Sequence, residues 1–358
     1  MRSRRIATTM LPMVVSSFLA GMTALTARPA VASASASGSN AWWWSVRIGA
    51  TGRIFTPPGR ARTAQRDLAA RAYRRDASGG LGCRLWDMIG LVRASHLQPT
   101  LAVTAIASVL ALSAGRGTGT VWVALAVLTG QLSVGWSNDY LDRHRDRRAG
   151  RMDKPIPSGA VRANVVGVSA VAAAVACAPL SLLSGWRAGL VHLAAVGLAW
   201  SYNLWLKATV ASPVPFAVAF GALPAFVSLG LEGSPLPPAW AVIAAALLGA
   251  GAHFVNTLPD LDDDERTGVR GLPHRFGPRT SLLVGALLLV SATLVLARAP
   301  TARLGALGTA VTIGSLVAVA CVVAAAVAGR PRTAWSCALC AAALSVAALV
   351  VRGGALAP

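Results

Sequence analysis

From residue 94 onward the chain alternates between long apolar runs and polar breaks. Nine runs stand out, at 95–114, 120–138, 161–182, 186–205, 210–230, 237–257, 280–298, 304–328 and 333–352. Each is near the ~20 residues a helix needs to cross the hydrocarbon of a bilayer. In lipid, backbone N–H and C=O groups must bond within the spanning segment, so runs of this length predict helices. The pattern predicts an all-α, polytopic membrane protein with about nine transmembrane helices in a bundle. Most connections are short, but two are long and polar, at 139–160 and 258–279.

Composition agrees with that reading. Only 13% of the 358 residues are charged and mean hydropathy is +0.59, whereas about a quarter of a soluble domain is charged. The net charge of +20 would ordinarily raise nucleic acid as a partner. Here the arginines lie between apolar runs, where positive charge sets orientation in a membrane, so nucleic acid is set aside. With the N-terminus inside, the first long loop carries Arg143, Arg145, Arg147, Arg148, Arg151 and Lys154, and the second Arg266, Arg270 and Arg275. The opposite connections hold only Arg116, Arg187, Arg298 and Arg303. This asymmetry places both loops in the cytoplasm of a protein of the cell membrane. Trp122, Trp136, Trp186, Trp205, Trp240 and Trp335 fall near predicted helix ends, as an aromatic belt does.

Residues 1–88 read differently. The first 36 have a basic start, an apolar centre and a small-residue end, as a signal peptide does. The Arg-, Gly- and Pro-rich stretch after them predicts a disordered or loosely helical segment. A cleaved signal would leave those arginines outside, against the positive-inside rule. A signal, a basic extension and a functional start near Met88 all remain open. "CALC" at 337–340 has a redox or metal spacing, but it lies in an apolar run without a second pair and reads as small residues packing in a helix. His192 and His253 read as packed helix residues.

Acids are scarce, and their placement is the main chemical signal. Nine of the 13 lie in two short segments: Asp139, Asp142, Asp146 and Asp153 in the first polar loop, and Asp260, Asp262, Asp263, Asp264 and Glu265 in the second. If the helix through Asn138 continues, Asp139, Asp142 and Asp146 share one face at i, i+3, i+7. In the second segment Asp260 and Asp264 share a face at i, i+4, and Asp262 points away. Facing carboxylates raise each other's pKa unless a cation intervenes. Magnesium fits, because it takes one or two carboxylates plus waters and phosphate oxygens. An EF-hand fails, because its positions 6 and 12 counted from Asp260 are Glu265 and Gly271, not Gly and Glu. Basic side chains interleave with the acids at Arg143, Arg147, Lys154 and Lys207. Metal and cations beside an apolar interior suit a lipid diphosphate. The other class compatible with the pattern is a transporter or channel with a divalent-binding mouth, which predicts charges or broken helices near the bilayer midplane.

Residues 89–358 resemble the UbiA superfamily of intramembrane prenyltransferases. "NDYLDRHRD" fits that family's N-D-x-x-D-x-x-x-D motif at Asn138, Asp139, Asp142 and Asp146. "KPIPSG" resembles the stretch that follows it, with Lys154 in place of the usual Arg. "DLDDDERTG" fits the second motif at Asp260, Asp264 and Gly268, and Tyr202 with Lys207 fits the pattern after the fourth helix. The first 88 residues have no counterpart there. The resemblance implies a helical bundle around a central, lipid-facing cavity, and Mg²⁺ held by Asn138, Asp139, Asp142, Asp146, Asp260 and Asp264. It implies that Asn138, Arg143, Lys154, Tyr202 and Lys207 bind substrate. The reaction it implies is transfer of a prenyl group from an allylic diphosphate to an acceptor, often aromatic and of the 4-hydroxybenzoate type.

Overall fold

The computed structural model describes residues 80–299 and 305–351. The signal-like start and nearly all of the Arg-rich stretch lie outside the described residues. The described chain is helical. It runs α1 (Gly80–Ala94), α2 (Leu97–Ser113), α3 (Gly119–Arg148), α4 (Pro155–Ser158), α5 (Ala163–Leu182), α6 (Trp186–Leu204), α7 (Val214–Ser228), α8 (Ala239–Thr257), α9 (Leu261–Arg266), α10 (Leu272–Ala297), α11 (Ala306–Val327) and α12 (Pro331–Val351).

Each of the nine apolar runs falls on a helix: α2, α3, α5 to α8 and α10 to α12. Among the described residues, five helices are long and apolar enough to cross a membrane, counting α8 and α9 as one. A sixth is added if α1 and α2, bent by 61°, form one span. α7 and the apolar part of α12 are shorter. The outward surface is apolar as lipid requires. On α5, Val168, Val171 and Val175 form an exposed stripe at helical spacing, as do Leu283 and Leu287 on α10. Trp186 and Trp205, at the two ends of α6, are both exposed, where amphipathic rings belong at a membrane interface.

Sequential helices pack on one another, and α12 returns to touch α2, α8 and α10. One core joins Val103, Leu110, Val123, Val127, Phe226 and Val227. A second joins Leu248, Val255, Leu289, Val322 and Ala338. The helices approach through small residues, as membrane helices do. A Cβ on Gly249 would lie 2.3 Å from the Phe216 carbonyl oxygen. Such contacts gain dispersion energy that a larger side chain would prevent.

A third, smaller core sits beneath the first polar loop. Ala94, Ile156, Val161 and Val166 are buried together, with Trp136 and Tyr140 against them. This core anchors the loop to α1, which reaches back before the proposed boundary at residue 88. Asp87 on α1 accepts from Arg162 Nε at 3.2 Å and Nη2 at 2.8 Å, and the Trp136 indole N–H donates to the Leu91 carbonyl at 2.9 Å.

Candidate active site

The site is built at the ends of α3, α6 and α8. α3 continues past its apolar part to Arg148, so the three first-motif aspartates lie on helix, as their spacing predicted. The next turn is held by α4, whose first residue is proline, a residue favoured there because its missing N–H has no helical partner. α4 ends on Gly159 at φ 79°, a left-handed cap that glycine adopts without a Cβ penalty. This turn delivers Lys154 to the acids. The second segment is not one continuous helix. α8 passes into a 3-10 turn at Leu258–Asp260, and α9 starts afresh at Leu261. Pro259 lacks the N–H that an unbroken helix would use. α9 is closed by the second motif's glycine, Gly268, at φ 89°.

Asp139 and Asp146 are buried, at 2% and 4% exposure. Lys154 Nζ donates to Asp139 Oδ1 at 2.9 Å and lies 3.5 Å from Asp146 Oδ2. His96 Nε2 is 3.0 Å from the same Asp139 oxygen. Asp142 pairs with Lys207 Nζ at 2.5 Å and with Arg145. In the second segment, Asp260 pairs with Arg151 Nη2 at 3.1 Å. Asp264 Oδ2 is 3.5 Å from His274 Nε2. Arg151 belongs to the first loop, so its pair with Asp260 ties the two acidic segments together. A cleft of about 400 Å³ opens between them, lined by Arg148, Ala149, Asp263, Arg266 and Thr267.

Charge state follows from burial against pairing. Burial alone would lower the Lys154 ammonium, but Asp139 and Asp146 outweigh it and hold its pKa above the usual lysine value. For Lys207 burial wins over the attraction of Asp142, and its pKa is lowered. For Arg151 the carboxylates of Asp260, Asp146 and Asp153 outweigh burial and raise it.

Of the residues expected at the site, Asp139, Asp146 and Lys154 form one paired cluster with His96, and Asp142 and Lys207 form another with Arg145. Asp260 pairs with Arg151 of the first loop. Asn138 donates to Asn203 Oδ1 at 3.2 Å, and Asn203 in turn donates to Ser137 Oγ at 2.8 Å, so Asn138 is fixed between α3 and α6. Tyr202 packs edge-on against Phe216 and His253, with ring centroids 5.2 and 5.7 Å apart. Arg143 is turned to Tyr140: it donates to the Tyr140 carbonyl at 2.6 Å and lies 4.2 Å from the centroid of its ring. Arg145 takes the place at the acids that was expected of Arg143. Arg145 is three residues beyond Asp142, a spacing at which helical side chains meet.

Sequence reasoning missed His96, Arg151, Asn203 and His274 as site residues. Asn203, next to Tyr202 and one turn before Lys207, carried a usable signal. His96 did not: it reaches Asp139 only through the bend between α1 and α2, where its backbone is left-handed at φ 51°.

The donor set suits a hard cation, since the motif side chains offer oxygen ligands alone. Asp146 Oδ2 is buried without a hydrogen-bond partner. Among the described residues no three His, Cys, Asp or Glu side chains converge as a ready metal cage. The first segment offers Asp139, Asp142 and Asp146 and the second Asp260 and Asp264, and magnesium takes one or two carboxylates when water and phosphate complete its shell. The residues therefore fit magnesium that arrives with a phosphate-bearing ligand.

Comparison with known proteins places this architecture. The chain is similar to the bacteriochlorophyll synthase 33 kDa chain of Rhodobacter capsulatus, with 29% identity over 179 residues, 43% of this chain and 55% of that one. It is similar to the 4-hydroxybenzoate octaprenyltransferase of Yersinia pseudotuberculosis, with 30% identity over 163 residues, 45% of this chain and 56% of that one. The chain thus spans about half the length of these relatives. Its fold is similar to that of a UbiA homolog from Aeropyrum pernix K1, with TM-score 0.60 and 20% identity, covering 71% of this chain and 98% of that one. The family model of the UbiA prenyltransferase family matches residues 97–348, most of the chain and all of the site outside His96, and the protein belongs to that family.

Proposed function

We propose that the protein transfers a prenyl group from an allylic prenyl diphosphate to an aromatic acceptor, releasing diphosphate. The observation that carries this reading is the set of paired acids and bases at one end of an apolar bundle. Lys154 lies between Asp139 and Asp146, Lys207 lies on Asp142, and Arg151 on Asp260. These cations are placed to take diphosphate oxygens in exchange for their present carboxylate partners. Asp139, Asp142, Asp146, Asp260 and Asp264, with Asn138, are the residues that would hold magnesium. Bound there with the substrate, magnesium would act as a Lewis acid on the leaving diphosphate.

The chain's own residues account for the rest. The C–O bond of the allylic ester breaks, and its electron pair leaves with the diphosphate. Lys154, Lys207 and Arg151 stabilise the charge that develops on that leaving group, in positions fixed before reaction. The acceptor's ring carbon forms the new C–C bond and gives up its proton. Surrounding apolar helices hold the hydrocarbon tail in a central cavity and exclude water that would otherwise capture the reacting carbon. The resemblance to a 4-hydroxybenzoate octaprenyltransferase supports an acceptor of the quinone-precursor type. The arginine asymmetry supports a protein of the cell membrane, with nine crossings and both acidic segments cytoplasmic. The activity resides in the bundle from residue 89 onward, and residues 1–88 form an extension.

The test is to incubate membranes containing the protein with Mg²⁺, allylic diphosphates of several chain lengths and a panel of phenolic and lipid acceptors. Product masses consistent with prenylated 4-hydroxybenzoate or a related phenol support the proposal. Absence of any prenylated product across the panel contradicts it.

A further inference from the structure

The second acidic segment has to turn back into α10, and one buried block fixes that return. Ser212, fully buried before α7, accepts the backbone N–H of Leu272 at 3.0 Å through its Oγ. The same Oγ lies 3.1 Å from His253 Nε2 on α8. His253 is itself 1% exposed and packs against Phe216, Tyr202 and Phe254, with ring centroids 4.8, 5.7 and 5.9 Å away. Gly271 runs so close that a Cβ there would sit 2.6 Å from the Lys207 carbonyl oxygen and 2.8 Å from Ser212 Oγ. The start of α10, which precedes a kink at Gly277 (φ 75°), is thus held against α8 and the residues before α7.

His274 stands on this block, two residues after Leu272. Its side chain is only 3% exposed, and its Nε2 is 3.5 Å from Asp264 Oδ2. Neither ring nitrogen has a hydrogen-bond partner. Buried polar atoms are ordinarily paired, because leaving them unmade costs the desolvation of the group. An apolar side chain would fill the same space without that cost. The structure sets the carboxylate of Asp264 3.5 Å from Nε2.

We infer that His274 is a positioning residue for Asp264. Its Nε2–H donates to Oδ2 when the site is loaded, which fixes the carboxylate plane and would leave Oδ1 to hold the metal. The side chain acts from this block on an acid that is itself carried by a six-residue helix, α9. Groups that orient a metal ligand in this way change metal affinity by about 10- to 100-fold when removed. The inference rests on the proposed role of Asp264 as a magnesium ligand.

The test uses the purified full chain and follows the midpoint of thermal unfolding as Mg²⁺ is titrated at fixed geranyl S-thiolodiphosphate, which does not react. Wild type is stabilised, with a defined half-effect Mg²⁺ concentration. His274→Leu raises that concentration about tenfold, and His274→Gln, which keeps a donor at the Nε2 position, stays within about threefold of wild type. In an Asp264→Asn background, His274→Leu produces no further shift. If His274→Leu does not fold, His274→Asn, one bond too short to reach Asp264, gives the same tenfold shift. A half-effect concentration for the Leu or Asn variant equal to that of a responsive wild type overturns the inference, as does a full additional shift in the Asp264→Asn background. A wild type that Mg²⁺ does not stabilise overturns instead the reading of the acids as a metal–diphosphate site, and this inference with it.

Discussion

The two acidic segments solve the same problem in opposite ways. The first is rigid and already neutralised. Asp139 and Asp146 are buried on a 30-residue helix, and Lys154 is held between them by a turn with its own small core. The second is short and open. Its aspartate side chains at 260, 263 and 264 are 39%, 45% and 27% exposed, and α9 has six residues. The difference teaches that one wall of the site is already paired and buried, while the other is more exposed, with Arg151 on Asp260 and His274 Nε2 3.5 Å from Asp264. The proposed function, in which the site admits a prenyl diphosphate and then encloses it, calls for one wall that can yield.

The largest expected effect tests what both walls share. Chelation of divalent ions with EDTA abolishes prenyl transfer, and readdition of Mg²⁺ restores it. The thermal midpoint of the substrate-free protein is unchanged by EDTA, because the carboxylates already have cationic partners. A drop in that midpoint would show a structural metal instead.

Next come substitutions that separate the walls. Asp139→Asn and Asp264→Asn each reduce turnover by about 100-fold or more. They differ in stability. Asp139→Asn weakens the pairing of a buried lysine and costs about 3 kcal/mol, whereas Asp264→Asn leaves unfolding nearly unchanged. Equal stability losses in denaturant titrations would erase the contrast. A smaller effect is expected at the link between the walls. Arg151→Ala raises the KM for the prenyl diphosphate about tenfold, the size of one charge-assisted contact, with kcat within about threefold. A fall in kcat at unchanged KM would place Arg151 elsewhere in the cycle. The smallest effect falls on Asp262, which is exposed on α9. Asp262→Asn changes turnover less than about twofold, the size of a surface charge effect, and a loss matching that of Asp264→Asn would refute the facing assigned to α9.

The same contrast explains what the sequence made legible. Hydrocarbon thickness fixes the length of an apolar run, so the nine runs located their helices without further information. The i, i+3, i+7 spacing of Asp139, Asp142 and Asp146 located the first wall, because a helix that continues unbroken preserves its period. In the second wall the helix tightens to a 3-10 turn at Leu258–Asp260 before α9, so spacing alone did not fix how Asp260 and Asp264 face each other. Arg143 was expected at the acids, and its period allows it, but it is engaged by the Tyr140 carbonyl and ring. His96 and His274 were invisible because each depends on a change of direction, one at the 61° bend before α2 and the other at the return into α10. No local pattern records where a bent chain brings a side chain.

The central claim, that the two acidic segments form one prenyl-transfer site, is tested most directly by stoichiometry. Purified protein is given Mg²⁺, geranyl diphosphate and 4-hydroxybenzoate, and diphosphate release and prenylated product are followed together. The account predicts one diphosphate for each prenylated product in wild type, and the parallel loss of both in Asp139→Asn and in Asp264→Asn. Product formation that survives in either variant at the wild-type rate would contradict it.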